Sequence, residues 1–231
     1  MNSEERKLRE RLRLREDTEE VKGMHTVRNG SGIYSIALPF VFLAALVLLA
    51  YAGTLAADFV YDDHMQILEN VSLRSLRNIP QFFTDPAHTS GGEIFESFYR
   101  PIRATALSIQ FQLWGHNPVG YHAVNILLHI LNSFLVFIFL KHILHSAVSA
   151  FFSALVFACH PAMTETVCWI TCQGDLLCML FLLATAICFF RSRENEGRRK
   201  TALYISAVIT FPLALLSKEM GVTFIAVIAG I

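Results

Sequence analysis

The sequence predicts an all-α protein, a bundle of helices that crosses a membrane several times. Of its 231 residues, 54% are hydrophobic and 16% are charged, whereas about a quarter of the residues in soluble domains are charged. No charged side chain stands between Arg28 and Asp58, a longer run than the roughly 20 residues a helix needs to cross a bilayer. The formal net charge is zero, so no overall basic field points to nucleic acid.

The first predicted element is a charged cytoplasmic segment over residues 1–30. Its basic and acidic side chains mix at helical spacing, which is typical of a solvated helix or tail, with binding to the membrane surface as the alternative. The first span follows over about 33–52. A cleaved signal peptide is the competing interpretation, but its apolar region would be about 7–15 residues long.

Further apolar segments complete the predicted bundle, over about 118–140, 147–160, 176–190, 201–216 and 222–231. The last one stops short of a full span, so we expect the natural protein to continue with more helices. Lys and Arg concentrate in the N-terminal segment and in 191–200, which places both on the cytoplasmic side. Alternation then brings 58–117, 161–175 and 217–221 together on the outer or lumenal face.

The long outer loop is predicted to carry short amphipathic helices. Apolar residues at 73, 76, 79 and 83 follow helical spacing within 72–83. Such a helix would lie on the membrane surface or pack against protein, and the pattern leaves both open.

Two polar groups in this loop are candidates for chemistry. In Tyr61-Asp62-Asp63-His64 the adjacent carboxylates point in different directions, so one could act as a base or metal ligand and the other as an orienting group. Arg100 presents a planar fork suited to phosphate oxygens. Pro101, directly after it, restricts its backbone.

Two further groups face the same side. His122 and Asn125 share one helical face with three deeper polar residues at steps of three and four, and lie nearest the outer end of the span. His160 and Lys218 could add positive charge, while Glu165 and Glu219 could pair with it or bind a divalent metal. The Cys168 and Cys172 spacing fits no common zinc site, and the motifs of nucleotide hydrolases and serine hydrolases are absent from the sequence.

Taken in order along the chain, these motifs resemble the integral-membrane glycosyltransferases of the GT-C class. The closest resemblance is to the transmembrane O-mannosyltransferases with tetratricopeptide repeats and their prokaryotic relatives. The motifs that carry it are FVYDDHMQILEN (59–70), YRPI (99–102), NPVGYHAVNILLH (117–129), HPAMTETVCWI (160–170) and LALLSKEMGVT (213–223).

The resemblance implies an inverting transfer of a hexose, mannose in this family, from a polyprenyl-phosphate donor to a hydroxyl of a protein or another acceptor. Asp62 would deprotonate the acceptor and Asp63 would hold the acceptor or the base. Arg100, Lys218 and His160 would stabilise the leaving phosphate. The membrane would be that of the endoplasmic reticulum in a eukaryote or the inner membrane in a prokaryote. A tetratricopeptide-repeat region is expected downstream, and the fragment is expected to be inactive alone.

Two other function classes stay open at this stage. A transporter or channel could use the polar span 122–133 as a pathway, although transporter sites lie near mid-membrane and most ionisable groups here cluster at one face. A membrane scaffold without catalysis could use the acidic loop as a docking surface.

Overall fold

The computed structural model describes residues 36–90 and 98–224. The predicted segment 1–30 and most of the last apolar run, 225–231, lie outside the described residues. By compactness the chain divides into 1–42 and 43–231. Of the first unit only 36–42, the start of the first helix, is described, and the site below lies within the second.

Helices and turns account for the secondary structure of the described residues, with no strand among them, so the predicted all-α class is confirmed. Between the first and fourth helices, the described residues 57–90 carry two short helices and several additional short turns. The helices are α1 (Ile36–Ala56), α2 (Ile79–Phe82), α3 (Ala87–Ser90), α4 (Pro101–Trp114), α5 (Pro118–Leu144), α6 (Ala147–Cys159), α7 (Met163–Cys168), α8 (Gln173–Arg193) and α9 (Gly197–Ser217).

Four of the described helices are long and apolar enough to cross a membrane: α1, α5, α9 and the segment Ile170–Arg193, which is α8 with its preceding turn. α6 is apolar but has only 13 residues, about 20 Å at 1.5 Å per residue. α8 packs along α9, and α5 packs against both α6 and α8. The directly connected pairs α5/α6 and α8/α9 are antiparallel, whereas α5 and α8 run parallel, with Asn125 beside Gln173 at one end and His142 beside Glu194 at the other.

Local sequence signals set the ends of α5. The side chain of Asn117 accepts a backbone N–H two residues on, at 3.1 Å, and Pro118 fills the first helical position. The helix ends at His145, whose φ of 51° is left-handed. Ser146 then caps α6. Because the turn between these caps is so short, α5 and α6 lie side by side.

The loop segment predicted as one amphipathic helix is divided into three pieces, so the prediction of one continuous helix is wrong. Turns over Val71–Arg74 and Leu76–Asn78 precede α2, and Ser75 between the turns is extended, with φ −142° and ψ 127°. The side chain of Asn70 caps the first turn and that of Ser75 caps the second. These caps compete with a continuous helix.

The loop is held in place by a small apolar core of its own. Leu73 and Phe82 are buried there against α4, the first turn of α5 and the start of the 170–193 segment. The core also fixes the 59–67 stretch, which leads out of α1. Its members are Phe59, Ile67, Leu73, Phe82, Ala104, Leu107, Tyr121 and Ile170. The turn that carries Asp62 and Asp63, called the acidic turn below, therefore rests on packed structure.

Candidate active site

The two adjacent aspartates lie in a turn that sends their side chains to different places. Tyr61 has a left-handed φ of 47°, a conformation that costs energy in a residue with a Cβ. Asp63 behind it is fully buried, and its two oxygens accept the backbone N–H groups of Val60 at 3.1 Å and Thr171 at 2.9 Å. Asp62 is exposed, and its one hydrogen bond within the described part of the chain comes from the Gln66 side-chain amide, at 3.2 Å.

These environments suit different tasks. Burial raises the pKa of Asp63, and the N–H groups of Val60 and Thr171 oppose that rise. Its oxygens are occupied by the backbone, so Asp63 ties the turn to the segment before α8. The Asp62 carboxylate, by contrast, is exposed to solvent.

Five charged residues, called the ionic cluster below, lie where the start of α4, the start of α8 and the end of α9 meet. Arg100 binds Glu219 with both arms of its fork, through Nε at 2.9 Å and Nη2 at 2.5 Å. Lys218 Nζ contacts both oxygens of Asp175 at 2.6 Å. The members are Arg100, Arg103, Asp175, Lys218 and Glu219.

The hydrogen bond from Arg100 lowers the pKa of Glu219 to about 2. Both carboxylates of the ionic cluster are thus paired, and three cations face two carboxylates. The ionic cluster therefore keeps one positive charge in excess, which favours an anionic ligand.

Arg103 carries that excess charge and was not among the site residues predicted from the sequence. It is almost fully buried, and among the described residues its guanidinium donates to the carbonyls of Thr89 at 3.3 Å and Thr171 at 3.4 Å. Burial lowers its pKa to about 10, so it stays charged at neutral pH. The spacing of Arg100 and Arg103, one helical turn apart, is the signal that could have found it.

A chain of buried amides supports this end of the bundle. Gln173 donates to the side chain of Asn125 at 2.9 Å and exchanges hydrogen bonds with Gln110 at 2.7 and 3.2 Å. Asn125 in turn donates to the carbonyls of Val167 at 3.3 Å and Trp169 at 3.1 Å. Asn125 therefore fixes the 167–173 segment in this structure, and its predicted contact with a lipid phosphate stays a prediction.

The remaining predicted residues are distributed around the same end. His122 is buried near enough to Asp63 for electrostatic interaction. His160 is exposed and its Nδ1 accepts the N–H of Ala162 at 3.1 Å, within a turn. No described contact joins His160 to the ionic cluster, and its predicted role is untested by this arrangement.

Glu165 lines an open groove of about 440 Å³ beside the acidic turn, which contributes Tyr61 to its lining. We call this feature the aromatic groove, because the rings of Tyr61 and Trp169 lie 6.0 Å apart at its wall. It is lined by Val60, Tyr61, Thr164, Glu165, Cys168 and Trp169.

Cys172 lies between the acidic turn, the aromatic groove and the ionic cluster. It is close enough to Asp63, Glu165, Asp175 and Lys218 to interact electrostatically with each. The fold thus gathers carboxylates from the first loop and cations from α4 and α9 around the 170–175 segment. Among the described residues no group of three or more His, Cys, Asp or Glu side chains could hold a metal ion.

Comparison with known proteins identifies the class to which this geometry belongs. The profile of the family described as dolichyl-phosphate-mannose-protein mannosyltransferase matches residues 101–230, more than half of the chain. The chain belongs to that family. The match covers the buried amides and four of the five residues of the ionic cluster, whereas Arg100 and the acidic turn lie before it.

Curated relatives of this mannosyltransferase family extend the similarity. Protein O-mannosyl-transferase Tmtc1 of Drosophila melanogaster is 32% identical over 186 residues, which are 78% of this chain and 21% of the relative. Protein O-mannosyl-transferase TMTC2 of Homo sapiens is 33% identical over 194 residues, 80% of this chain and 23% of the relative. Protein O-mannosyl-transferase TMTC4 of Homo sapiens is 29% identical over 215 residues, which are 82% of this chain and 29% of the relative.

The chain therefore spans between 21% and 29% of the length of these relatives. No solved structure matches it. The family resemblance predicted from the sequence is confirmed by the profile and by the relatives.

Proposed function

We propose that this chain forms the catalytic end of a membrane glycosyltransferase that moves a hexose, mannose by family, from a polyprenyl-phosphate donor to a protein hydroxyl. The reaction takes place on the outer or lumenal face, in the endoplasmic reticulum or a prokaryotic inner membrane. The observation that carries the proposal is the pair of hydrogen bonds at Thr171. Its backbone N–H donates to Asp63, next to the exposed Asp62, and its carbonyl accepts from Arg103 of the ionic cluster. The exposed carboxylate and the cations are therefore held by the same backbone segment.

In the proposed reaction Asp62 takes the proton of the acceptor hydroxyl. The hydroxyl oxygen attacks the anomeric carbon as the carbon–oxygen bond to the phosphate breaks, and the bonding pair leaves with the polyprenyl phosphate. Attack opposite the leaving group inverts the anomeric centre. A positioned base of this kind contributes about 10²–10⁴-fold to the rate.

Negative charge grows on the leaving phosphate, so fixed cations near it lower the barrier. Arg100 and Lys218 are each paired with a carboxylate before the donor binds. A phosphate would compete with Glu219 and Asp175 for them, and the buried charge of Arg103 favours that exchange. His160, Glu165 and His122 are proposed to complete the binding of the two substrates.

The test is substitution of the acidic turn in the protein expressed with its complete natural sequence. Asp62→Asn removes the base and leaves the backbone bonds of Asp63 intact. We expect kcat with dolichyl-phosphate mannose and a threonine peptide to fall by about 10²–10⁴-fold, with unfolding temperature unchanged. Asp63→Asn turns an amide N–H₂ towards a backbone donor, so we expect both activity and unfolding temperature to fall.

Glu69→Gln is the matched control, since Glu69 is another exposed carboxylate of the same loop. Its turnover should equal that of the wild type. Normal turnover by folded Asp62→Asn would remove Asp62 from the role of base. Absence of transfer from any polyprenyl-phosphate sugar by the folded wild type would overturn the proposed function.

A further inference from the structure

The aromatic groove has chemistry that the transfer step does not use. Tyr61 is 83% exposed, unusual for a large aromatic ring, and the left-handed backbone at this residue holds the ring at the wall of the groove. Trp169 forms the opposing ring, tilted by 55°. Its backbone is fixed by the hydrogen bond from Asn125. Both aromatic rings at the groove are thus carried by backbone whose conformation is fixed.

The groove also carries a negative charge. Of its six lining residues, all within the described part of the chain, Glu165 is the acidic one. Burial raises the pKa of the Cys168 thiol, so that side chain is neutral at physiological pH. In the part of the chain that the structure describes, no cation lies within salt-bridge distance of Glu165. Its carboxylate is available to a partner from outside.

Two aromatic faces with one carboxylate recognise organic cations, because the ring quadrupole and the carboxylate both attract positive charge. A sugar would need several converging hydrogen-bonding groups, whereas the lining is mostly apolar and offers the hydroxyls of Tyr61 and Thr164 and the carboxylate of Glu165 as its exposed polar side-chain groups. The lysine ammonium and the arginine guanidinium are the cations a polypeptide offers.

We propose that the aromatic groove binds a basic side chain of the acceptor polypeptide, so that the enzyme prefers hydroxyls next to lysine or arginine. This proposal rests on the function proposed above. Tyr61 directly precedes Asp62, so a basic residue held in the groove places the neighbouring residues of the acceptor within reach of the base. Successive residues of an extended chain advance by about 3.3–3.6 Å.

The experiment compares two threonine peptides that differ at one neighbouring residue, arginine in one and neutral citrulline of the same shape in the other. With the protein in its complete natural sequence, we expect kcat/KM for the arginine peptide to exceed that for the citrulline peptide by about tenfold, mainly through KM. In Glu165→Gln the ratio should fall to within about twofold. Tyr61→Leu should lower it in part, because the charge stays and one ring is lost.

Two further variants test whether the preference for arginine depends on the charge of Glu165 and on its position in the groove. Glu165→Asp keeps the charge on a shorter side chain and should retain an intermediate ratio. Glu69→Gln removes a loop carboxylate outside the groove and should retain the full ratio. Each variant is first checked for an unchanged unfolding temperature.

Direct binding separates this proposal from the proposed function. Fluorescence anisotropy of both labelled peptides, without donor, reports on the groove alone. Tighter binding of the arginine peptide that depends on Glu165, without sugar transfer, would overturn the transferase proposal and support the groove. Equal binding of the two peptides, or an arginine preference that survives Glu165→Gln, would overturn the groove proposal even if transfer occurs.

Discussion

The pair formed by Arg100 and Glu219 joins residues 119 positions apart. The Arg100 guanidinium also lies over the ring of Phe98, 4.5 Å from its centroid, and the side chain is only 13% exposed. A bidentate bond to a stacked guanidinium is more specific than a simple pair of charges. It fastens the end of α9 to the start of α4.

The stability that this pair contributes depends on pH in a defined direction. The pKa of Glu219 is lowered to about 2 in the folded protein from an ordinary value of 4.5. The contribution is therefore fully present above about pH 4.5 and is lost as pH falls towards 2. Because the Glu219 side chain is 52% exposed, we expect only about 1 kcal/mol or less.

Thermal unfolding of wild type and Glu219→Gln in detergent, from pH 7 down to pH 3, would measure this contribution. The wild type should unfold at the higher temperature at neutral pH, and the gap should narrow as the solution becomes acidic. A gap that widens towards acid would contradict the assignment. Glu69→Gln serves as the control without an ion pair and should show no gap.

At the scale of elements, the α4–α5 connection depends on close approach at Gly120. A Cβ placed on Gly120 would lie 2.1 Å from the indole of Trp114, at its Cδ2 atom. Real contacts of that kind do not occur, so the ring lies directly on the glycine. Trp114 also packs against the core beneath the first loop. The glycine therefore sets how α5 meets the element that carries Arg100 and Arg103.

Gly120→Ala should lower the free energy of unfolding by about 1–3 kcal/mol, because the added methyl overpacks the contact with Trp114. Gly53→Ala is the matched control, since a Cβ there meets no atom within 4 Å. Unfolding of both variants in detergent gives the comparison. Equal stability of the two would show that Trp114 moves aside without cost.

Contacts between elements also explain why the loop segment 72–83 does not form one continuous helix. Leu73 and Phe82 are both buried, whereas Phe83 and Leu76 stay 40% and 46% exposed. Helical spacing alone favours 73, 76, 79 and 83 as one apolar face. The local caps at Asn70 and Ser75 and the packing against α4 select a different set. Periodicity could not reveal this, because tertiary contacts outweigh a short amphipathic pattern.

For the whole molecule, the membrane topology is a prediction from the distribution of Lys and Arg. It places 58–117, 161–175 and 217–221 on the outer or lumenal side and 191–200 in the cytoplasm. The loops assigned to the outer side are those that form the acidic turn, the aromatic groove and the ionic cluster. A site facing one side only is what transfer at that face requires.

Glycosylation sequons engineered into single loops would test this topology in microsomes. A sequon within 76–85 should be glycosylated, and one within 191–200 should stay unmodified. Glycosylation of 191–200 and not of 76–85 would place the site on the cytoplasmic side and contradict the proposal that the reaction takes place on the outer or lumenal face. The 191–200 segment is polar and mostly exposed, whereas 76–85 contains the buried Phe82, so an unchanged unfolding temperature is the folding control for each variant.

The sequence by itself determined the all-α class, the apolar segments and the family, because hydrophobic length and short motifs are local properties of the chain. It also predicted Asp62 and Asp63 as candidate catalytic residues with different roles. Only the tertiary structure decided that Asp63 is buried against Thr171 and that Asp62 stays exposed. The burial of Arg103 and the aromatic groove likewise arise only where distant segments meet, since burial and ion pairing are properties of contacts between elements.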